Sequence, residues 1–254
     1  MDIALYTAAS GSLANQMRLE VLSNNLANLN TVGYKEDRSS FQSWLPGVSK
    51  IKGDSTKDLS LPINYDQANI QVAFEGTRPN FNLGDIKYTG NSLDIALDGK
   101  GFFRIETPNG TQYTKKGNFQ INGDGFLANQ EGFPVMGDNG PIIIKGKEIM
   151  IDELGNITVE GQVSGRISVI NFGESANLEK TGDTSFVTSD SKVNEIPAQG
   201  VKVKQGYLEL SNVNGMRVVM EMIEVLRAFE SYQKMIHSID DLNEQAISKV
   251  GKIA

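Results

Sequence analysis

The feature that most constrains this chain is a long stretch near its C-terminal end without a helix breaker. Between Asn214 and Val250 there is no proline, and the only glycine is Gly215. Apolar residues recur at alternating steps of three and four from Met222 to Val250, with one polar interruption at Asn243. This heptad spacing predicts a coiled-coil helix of about 35 residues, roughly 50 Å long. A helix of that length has to pack against something elongated.

A second helical pattern lies near the N-terminus. Apolar residues between Ile3 and Leu29 are spaced by three and four, which is typical of one face of an amphipathic helix. Residues 31–34 follow it, and Gly33 is expected to carry the chain out of the helix with a positive φ. We predict that this helix pairs with the C-terminal one. The apolar residues on either side of this pairing face would then pack against neighbouring subunits or against the rest of the chain.

The middle of the chain differs, because it holds most of the 26 glycines between short β-favouring runs. These runs cover residues 93–97, 102–106, 142–144, 157–159 and 167–172. Turn sequences such as residues 122–125 separate them and no helical pattern lies between them, which predicts an antiparallel all-β domain.

The predicted fold class is therefore mixed α and β, with long, paired coiled-coil helices at both ends flanking a central antiparallel β domain. The first of these helices occupies residues 1–34. An extended linker is expected over residues 35–69 and the β domain over residues 70–205. Residues 206–254 then form the C-terminal helical segment.

Composition excludes several classes of function. The 24 Lys and Arg stand against 31 Asp and Glu, a net charge of −7, so the chain is not expected to bind nucleic acid. It has no Cys and one His, which excludes disulfides, thiolate sites and multi-histidine metal sites. We expect no catalytic, cofactor-binding or metal-binding residues and no enzymatic activity. Neither a membrane-spanning run nor a cleavable secretion signal is expected.

Isolated features that resemble sites have simpler interpretations. His237 has two aspartates nearby, but no nucleophile can be placed beside it, so a surface histidine is favoured. Residues 122–125 lack the further acidic ligands of a calcium loop and are better explained as a hairpin turn. Residues 99–101 begin a phosphate-loop pattern, but a strand follows instead of a helix. Lys115 and Lys116 are interpreted as a charged pair in a turn.

Several separated motifs resemble those of the bacterial flagellar rod and hook proteins. Residues 24–35, NNLANLNTVGYK, are similar to the N-terminal signature of that family. Residues 206–214, GYLELSNVN, resemble its C-terminal signature, and residues 227–230, RAFE, continue the match. Residues 93–103 resemble the entry strand of the family's middle β domain. The opening residues 1–8 most resemble the proximal-rod member, with the distal-rod protein as close runner-up.

The resemblance implies a structural subunit of the flagellar basal-body rod, the axial drive shaft that transmits torque from motor to hook. It implies helical assembly with copies of the chain and other rod proteins. It also implies export without a cleaved signal peptide through the flagellar type III secretion apparatus, and a location in the rod across the periplasmic space. A distal-rod or hook-type paralogue is the alternative within the family. Outside it, the alternative is a soluble β-domain binding module dimerised by its helices.

Subunit contacts are expected from apolar and amide side chains of the terminal segments. The expected interface residues are Leu13, Met17, Leu22, Asn24, Asn25, Leu26, Asn28, Asn30, Ser211, Asn212, Met222, Phe229 and Ile236. The four apolar positions of the first helix are expected to face Val225, Phe229, Tyr232 and Ile236 of the same or a neighbouring chain. For the asparagines, the alternative is capping of a helix end.

The segment after the first helix holds a further motif. Phe41 and Leu45 have the aromatic-xxx-hydrophobic spacing that rod and hook substrates present to the export apparatus. A short motif of this kind suits an unfolded chain, which can bind only through a few local anchors. The alternative is that Phe41 and Leu45 dock the linker on the folded chain.

Overall fold

Two long helices flank a run of strands, which confirms the predicted mixed α and β fold. The computed structural model describes residues 2–44, 71–173, 178–182, 184–188 and 195–250. Helix α1 spans Asp2–Ala27 and helix α2 spans Gly215–Val250. Their bounds lie within two residues of the stretches 3–29 and 214–250 that predicted them, because both segments lack proline and carry one continuous helical repeat. The expected segments were wider: α1 ends at Ala27 and not at residue 34, and residues 206–214 precede α2 without being helical.

Within the described residues, 19 strands lie between the helices. They are β1 (Asp37–Trp44), β2 (Gln71–Pro79), β3 (Ile86–Tyr88), β4 (Ile95–Asp98), β5 (Phe102–Thr107), β6 (Gly110–Thr114), β7 (Gln120–Ile121), β8 (Leu127–Ala128), β9 (Met136–Gly137), β10 (Gly140–Pro141), β11 (Ile149–Ile151), β12 (Asn156–Val159), β13 (Gln162–Arg166), β14 (Val169–Asn171), β15 (Leu178–Thr181), β16 (Ser185–Thr188), β17 (Ile196–Pro197), β18 (Lys202–Gln205) and β19 (Tyr207–Glu209).

The strands form small sheets around one larger one. The largest has the order β15-β16-β6-β5-β14-β17, and each neighbouring pair in it is antiparallel. Strands β11, β12 and β13 form an antiparallel three-stranded sheet. Two-stranded sheets join β1 to β2, β3 to β19, β4 to β18, β7 to β8 and β9 to β10. The central β domain is therefore antiparallel, as predicted.

The chain divides into two compact units. The first, called the helical unit, contains α1 up to Asn24, strand β1, strand β2 up to Arg78, and α2 from Met216. The second, called the β unit, contains residues 25–36 and the described part of residues 79–215. Strand β1 thus lies in the segment expected to be an extended linker, and it pairs with β2 in the helical unit.

Strand β5 organises the core of the β unit by supplying side chains to both of its faces. Phe103 and Ile105 belong to one cluster of buried apolar side chains, and Phe102 belongs to another, with Phe186. Successive side chains of a strand point to opposite faces, so a central strand with apolar residues at consecutive positions is covered on both sides. Burial of both faces explains why consecutive residues at the start of 102–106 are apolar.

One predicted strand is absent: residues 142–144 do not form one. Ile142 and Ile144 are buried, and Ile143 between them is 40 % exposed, so the alternation of a strand is present. The segment instead makes single hydrogen bonds, from Leu127 N to Ile142 O (2.9 Å) and from Ile144 N to Gly125 O (2.8 Å). Its backbone pairs too briefly with each neighbour to continue a ladder.

The turn at residues 122–125 is a hairpin turn, as predicted. It joins β7 to β8, and Gly125 has a φ of +81°. The side-chain oxygen of Asn122 accepts hydrogen bonds from the amides of Asp124 (3.1 Å) and Phe126 (2.9 Å). The amide oxygen thus replaces a backbone acceptor inside the turn.

Within the helical unit, α1 and α2 are in contact through small and polar residues. A Cβ on Gly11 would lie 2.6 Å from the ring of Tyr232. Gln233 Nε2 donates a hydrogen bond to Ser12 Oγ (3.1 Å), and nearer the other end Arg18 lies 4.0 Å from the carboxylate of Glu221. Because residue numbers rise along α1 as they fall along α2, the two helices run antiparallel.

Leu13 does not take part in this contact. Its side chain is 52 % exposed, whereas Ala8, Ser12 and Leu22 on the same helix are buried. This exposure favours the version of the prediction in which Leu13 faces a neighbouring chain, and that version stays a prediction.

We expect Gly117→Ala to destabilise the β unit strongly. A Cβ on Gly117 would lie 1.7 Å from the backbone oxygen of Ile95, a contact that only a backbone shift can relieve. The free energy of unfolding should fall by about 3 kcal/mol. The matched control is Gly123→Ala, since that Cβ would meet nothing within 4 Å. Urea unfolding of both variants tests this, and equal midpoints would contradict it.

Candidate functional site

The N-terminal and C-terminal motifs meet inside the β unit, at the carboxylate of Glu209. Lys35, at the end of the first motif, places its Nζ 2.5 Å from Glu209 Oε1. Lys115 approaches from the other side, with its Nζ 3.4 Å from Oε2. All three side chains are at most 2 % exposed. One buried anion thus joins two cations from distant parts of the chain.

Backbone groups complete the environment of these charges. Lys35 Nζ donates a hydrogen bond to Asn82 O (2.7 Å), and Lys115 Nζ donates one to Gly99 O (2.8 Å). The amide of Gly84 donates to Glu209 Oε1 (3.0 Å). These bonds offset part of the cost of burying the charges, whereas Glu209 Oε2 accepts no hydrogen bond from the described residues and is held by its ion pair with Lys115 alone.

The cluster carries more positive than negative charge, and this affects Lys115. Burial lowers the pKa of Lys115 to about 8; Glu209 opposes this shift and the nearby Lys35 adds to it. At neutral pH the ammonium group is still mostly protonated. The β unit therefore holds a buried lysine that loses its proton well below the ordinary pKa of 10.5.

Asn212, in the C-terminal motif, binds the backbone of Glu36, which directly follows the N-terminal motif, and the backbone of residues 80–82. Its Nδ2 donates to the backbone oxygens of Asn80 (2.8 Å) and Asn82 (2.9 Å). Its Oδ1 accepts from the amide of Glu36 (2.8 Å), next to Lys35. The amide group therefore has partners on both ends within one chain, which favours a structural role in the β unit.

Gly33 lies at the point where the first motif enters this cluster. Its φ is +69°, the left-handed value predicted for it, and its amide donates a hydrogen bond to Glu209 O (2.8 Å). A Cβ here would lie 2.5 Å from the backbone nitrogen of Lys116. The position therefore needs glycine for two independent reasons, the backbone conformation and the close approach of another backbone.

Tyr34 and Asn25 form a second buried contact of the first motif. The Tyr34 hydroxyl donates to Asn25 Oδ1 (3.0 Å), and both residues are at most 1 % exposed. Lys180 Nζ lies 3.8 Å from the centre of the Tyr34 ring and donates to Lys35 O (3.1 Å). Strand β15, which carries Lys180, thereby covers the motif with a cation over an aromatic face.

The remaining asparagines of the first motif are arranged differently. Asn24 and Asn30 are exposed. Asn28 is half-buried, and its Oδ1 accepts a hydrogen bond from the hydroxyl of Thr31 (3.0 Å). Of the four, Asn24 and Asn30 present the most side-chain surface to a neighbouring molecule.

The other predicted interface residues differ in exposure. Leu13 is exposed and Leu22 is buried, as described above. The following are half-buried: Met17, Leu26, Ser211, Met222, Phe229 and Ile236. Phe41 is half-buried and packs edge-on against Phe74, with ring centres 5.6 Å apart. Leu45 lies outside the described residues.

Sequence reasoning missed the buried charges. Lys115 is not a turn residue exposed to solvent, because the chain buries it at 3 % exposure against Glu209. One signal was available: Glu209 is the single charge within YLEL, and Lys35 ends the other motif. Glu209 is therefore a candidate for a buried charge, but three charged residues follow Lys35, so the sequence does not single out its partner.

The residues gathered here form an internal junction of the β unit. In the part of the chain that is described, no group of three or more His, Cys, Asp or Glu side chains could hold a metal ion. As far as the described residues extend, neither α1 nor α2 combines the length and apolar character that crossing a membrane requires.

We expect the stability of the β unit to rise between pH 8 and pH 10.5 because of Lys115. The folded chain releases this proton near pH 8, while the unfolded chain keeps it to about 10.5, so the unfolded state binds more protons in that window. The contribution is at most about 1.4 kcal/mol per pH unit. In Lys115→Met, the free energy of unfolding should no longer increase with pH in this window.

Urea unfolding at a series of pH values provides the measurement. The matched control is Lys100→Met, since Lys100 is exposed and its loss should leave the pH dependence unchanged. If the curves of Lys115→Met and the parent run parallel from pH 8 to pH 10.5, then Lys115 is not protonated differently in the two states.

Comparison with known proteins identifies three family domains in the chain. Residues 5–35 match the description "Flagella basal body rod protein". Residues 96–169 match "Flagellar hook protein FlgE/F/G D1 domain". Residues 204–249 match "Flagellar basal body rod FlgEFG protein C-terminal". These ranges include the residues of both motifs that surround Glu209.

Similar proteins extend over nearly the whole length of the chain. The flagellar basal-body rod protein FlgF of Caulobacter vibrioides is 32 % identical over 262 aligned residues that cover all of both chains. The rod protein FlgG of Agrobacterium fabrum is 34 % identical over 94 % of this chain and 96 % of its own. The hook-basal body complex protein FlhO of Bacillus subtilis is 32 % identical over 98 % of both. The chain therefore belongs to the family of flagellar basal-body rod and hook proteins.

Proposed function

We propose that this protein is a structural subunit of the flagellar basal-body rod, and not an enzyme. In this proposal it assembles helically into the axial shaft that transmits torque from motor to hook. Its location is then the basal body, and its partners are copies of itself and other rod proteins. The full-length similarity to the rod protein FlgF supports a proximal-rod position, and the similarity to FlgG keeps the distal rod as the alternative.

The observation that carries this proposal is an apolar face of α2 that the single chain leaves exposed. Met216, Val219, Met220, Ile223 and Leu226 are 41 to 75 % exposed, and they follow one another at steps of three, one, three and three residues. These steps place them on one side of the helix. An exposed apolar stripe of this kind is typical of a surface that another protein covers.

The buried side of α2 supports helix pairing in the assembled state. Val218 and Val225 are buried, and Met222, Phe229 and Ile236 are half-buried on the same side. This is the heptad seam that predicts a coiled coil with α1. We include that pairing in the proposal, with the apolar stripe on the other side of α2 left for neighbouring subunits.

The exposed residues of α1 are the best candidates for contacts with neighbours. Leu13 and Asn24 present their side chains to solvent, as does Asn30 beyond the helix. Asn25 is buried, and Asn212 is half-buried and bonded to the backbone of the β unit. On exposure alone, we therefore assign the intermolecular role to the first three and a role within the fold to the other two.

We expect Ile223→Asp to prevent assembly without changing the stability of the monomer. Ile223 is 45 % exposed, so a charge there remains hydrated in the single chain but would be buried in the proposed interface. The matched control is Ser238→Asp, which adds the same charge at an exposed position outside the apolar stripe. Sedimentation of the concentrated protein measures assembly, and thermal melting measures stability.

The parent protein should form large, open-ended species at high concentration, as should Ser238→Asp. Ile223→Asp should remain monomeric at the same concentration. A discrete small oligomer of the parent would instead favour a binding module dimerised by its helices. Assembly of Ile223→Asp at the level of the parent would show that the stripe is not an interface.

We further propose that Phe41 takes part in export through the flagellar secretion apparatus, before the chain folds. In the folded chain Phe41 packs against Phe74, so a role in docking β1 on β2 is the competing explanation. The two roles act at different stages, since export requires an unfolded chain. They can be separated because Phe74 belongs to the same contact but not to the motif.

We expect Phe41→Ala to reduce secretion and Phe74→Ala to leave it intact. Each change removes the same ring contact, so the melting temperatures of the two purified variants should fall by similar amounts. Secretion is measured as the ratio of external to internal protein in a flagellated host. Equal secretion of the two variants would leave Phe41 with a docking role only.

A further inference from the structure

Helix α2 carries three of the four methionines that are exposed in the described part of the chain. Met216, Met220 and Met235 are 75 %, 54 % and 51 % exposed, and the fourth, Met150 in strand β11, is 62 % exposed. The thioether of methionine can be oxidised to a sulfoxide, which is polar where the thioether is apolar. Exposed side chains are the ones that an oxidant in solution reaches first.

Two of these methionines belong to the apolar stripe that runs from Met216 to Leu226. Met216 and Met220 are four residues apart, so they lie on the same face of α2 in adjacent turns. Met235 lies beyond the stripe, about 120° around the helix from its mean direction. Met150 belongs to the other unit of the chain. In the proposed assembly, neighbouring subunits would therefore cover Met216 and Met220 and leave the other two outside this contact.

We infer that Met216 and Met220 form an oxidation site that decides whether a free subunit can assemble. Hydrogen peroxide is the oxidant: its O–O bond breaks, one oxygen forms a bond to the sulfur, and the other leaves as water. The sulfur loses two electrons and the peroxide gains them. This inference rests on the proposed function, because it requires the apolar stripe to be an interface.

The polarity of the sulfoxide explains the effect on assembly. In the single chain each sulfoxide oxygen stays hydrated, so the fold is unaffected. Inside an apolar contact it would lose this water without gaining a hydrogen-bond donor, and burial of such a group is unfavourable. Met222 is half-buried on the side of α2 that carries the buried Val225, so peroxide reaches its sulfur less easily.

Peptide mass spectrometry after treatment with dilute hydrogen peroxide measures the oxidation. In the monomeric protein, we expect Met216 and Met220 to be converted about tenfold faster than the half-buried Met222. In the assembled protein, their conversion should slow to that of Met222, because neighbouring subunits cover the stripe. Equal rates for the three residues in the monomer, or unchanged rates after assembly, would overturn the inference.

Sedimentation after removal of the peroxide measures the consequence. The oxidised parent protein should need a roughly tenfold or higher concentration to assemble, because the interface would bury unpaired polar groups. The thermal melting of the monomer should be the same before and after oxidation. Reduction by methionine sulfoxide reductases that act on both sulfoxide epimers should restore assembly. Assembly that stays lost after reduction would count against the inference, since the damage would then lie elsewhere.

The variant that combines Met216→Leu with Met220→Leu should assemble equally well before and after peroxide treatment. Leucine is apolar and of similar volume, and it has no sulfur to oxidise. The matched control combines Met150→Leu with Met235→Leu, which removes the two exposed methionines outside the stripe. This control should be as sensitive to peroxide as the parent protein.

The outcomes separate this inference from the proposed function. Normal assembly of the fully oxidised parent protein would overturn the inference and leave the rod function standing. Equal loss of assembly in the parent and in the variant without Met216 and Met220 would also overturn it, since other residues would then be responsible. A parent protein that stays monomeric at every concentration before treatment would contradict the proposed self-assembly and, with it, the inference.

Discussion

The β unit depends on one buried carboxylate. Glu209 lies at the end of strand β19 and holds the ammonium groups of Lys35 and Lys115. Removing one member of such a cluster leaves an uncompensated charge in a dry interior, at a cost of about 3 to 5 kcal/mol. Lys35 follows the turn at Gly33, and Lys115 follows strand β6, so three distant segments of the chain are fixed by this one group.

This constraint explains why the two family motifs have the residues they do. Gly33 brings its amide to the backbone oxygen of Glu209, and Asn212 binds the backbone beside Lys35. Asn25 accepts the hydroxyl of Tyr34 in the same region. Residues that resemble an assembly signature thus first form the internal junction of the β unit. Contacts with neighbours, in the proposed assembly, would use exposed side chains of the same motif, such as Asn30.

The sequence predicted the elements well where one repeat runs without interruption. Both helices followed from apolar spacing, and β5 followed from a run of apolar residues. Residues 142–144 are also an apolar run, but no neighbouring strand pairs with them over more than one residue. Which segments pair with each other cannot be predicted from one segment alone. The Glu209 cluster was not predictable for a related reason: Lys115 and Glu209 are 94 positions apart, and only the fold brings them together.

The helical unit has a different source of stability from the β unit. The buried apolar side chains of α1 and α2 include Ala8, Leu22, Val218 and Val225. Isolated helices gain most of their stability from packing of an amphipathic face, and α2 keeps much of its apolar surface exposed. Covering the exposed apolar stripe of α2 by neighbouring subunits would supply the missing burial. Assembly and consolidation of the helices are then one process, while the β unit keeps its own core throughout.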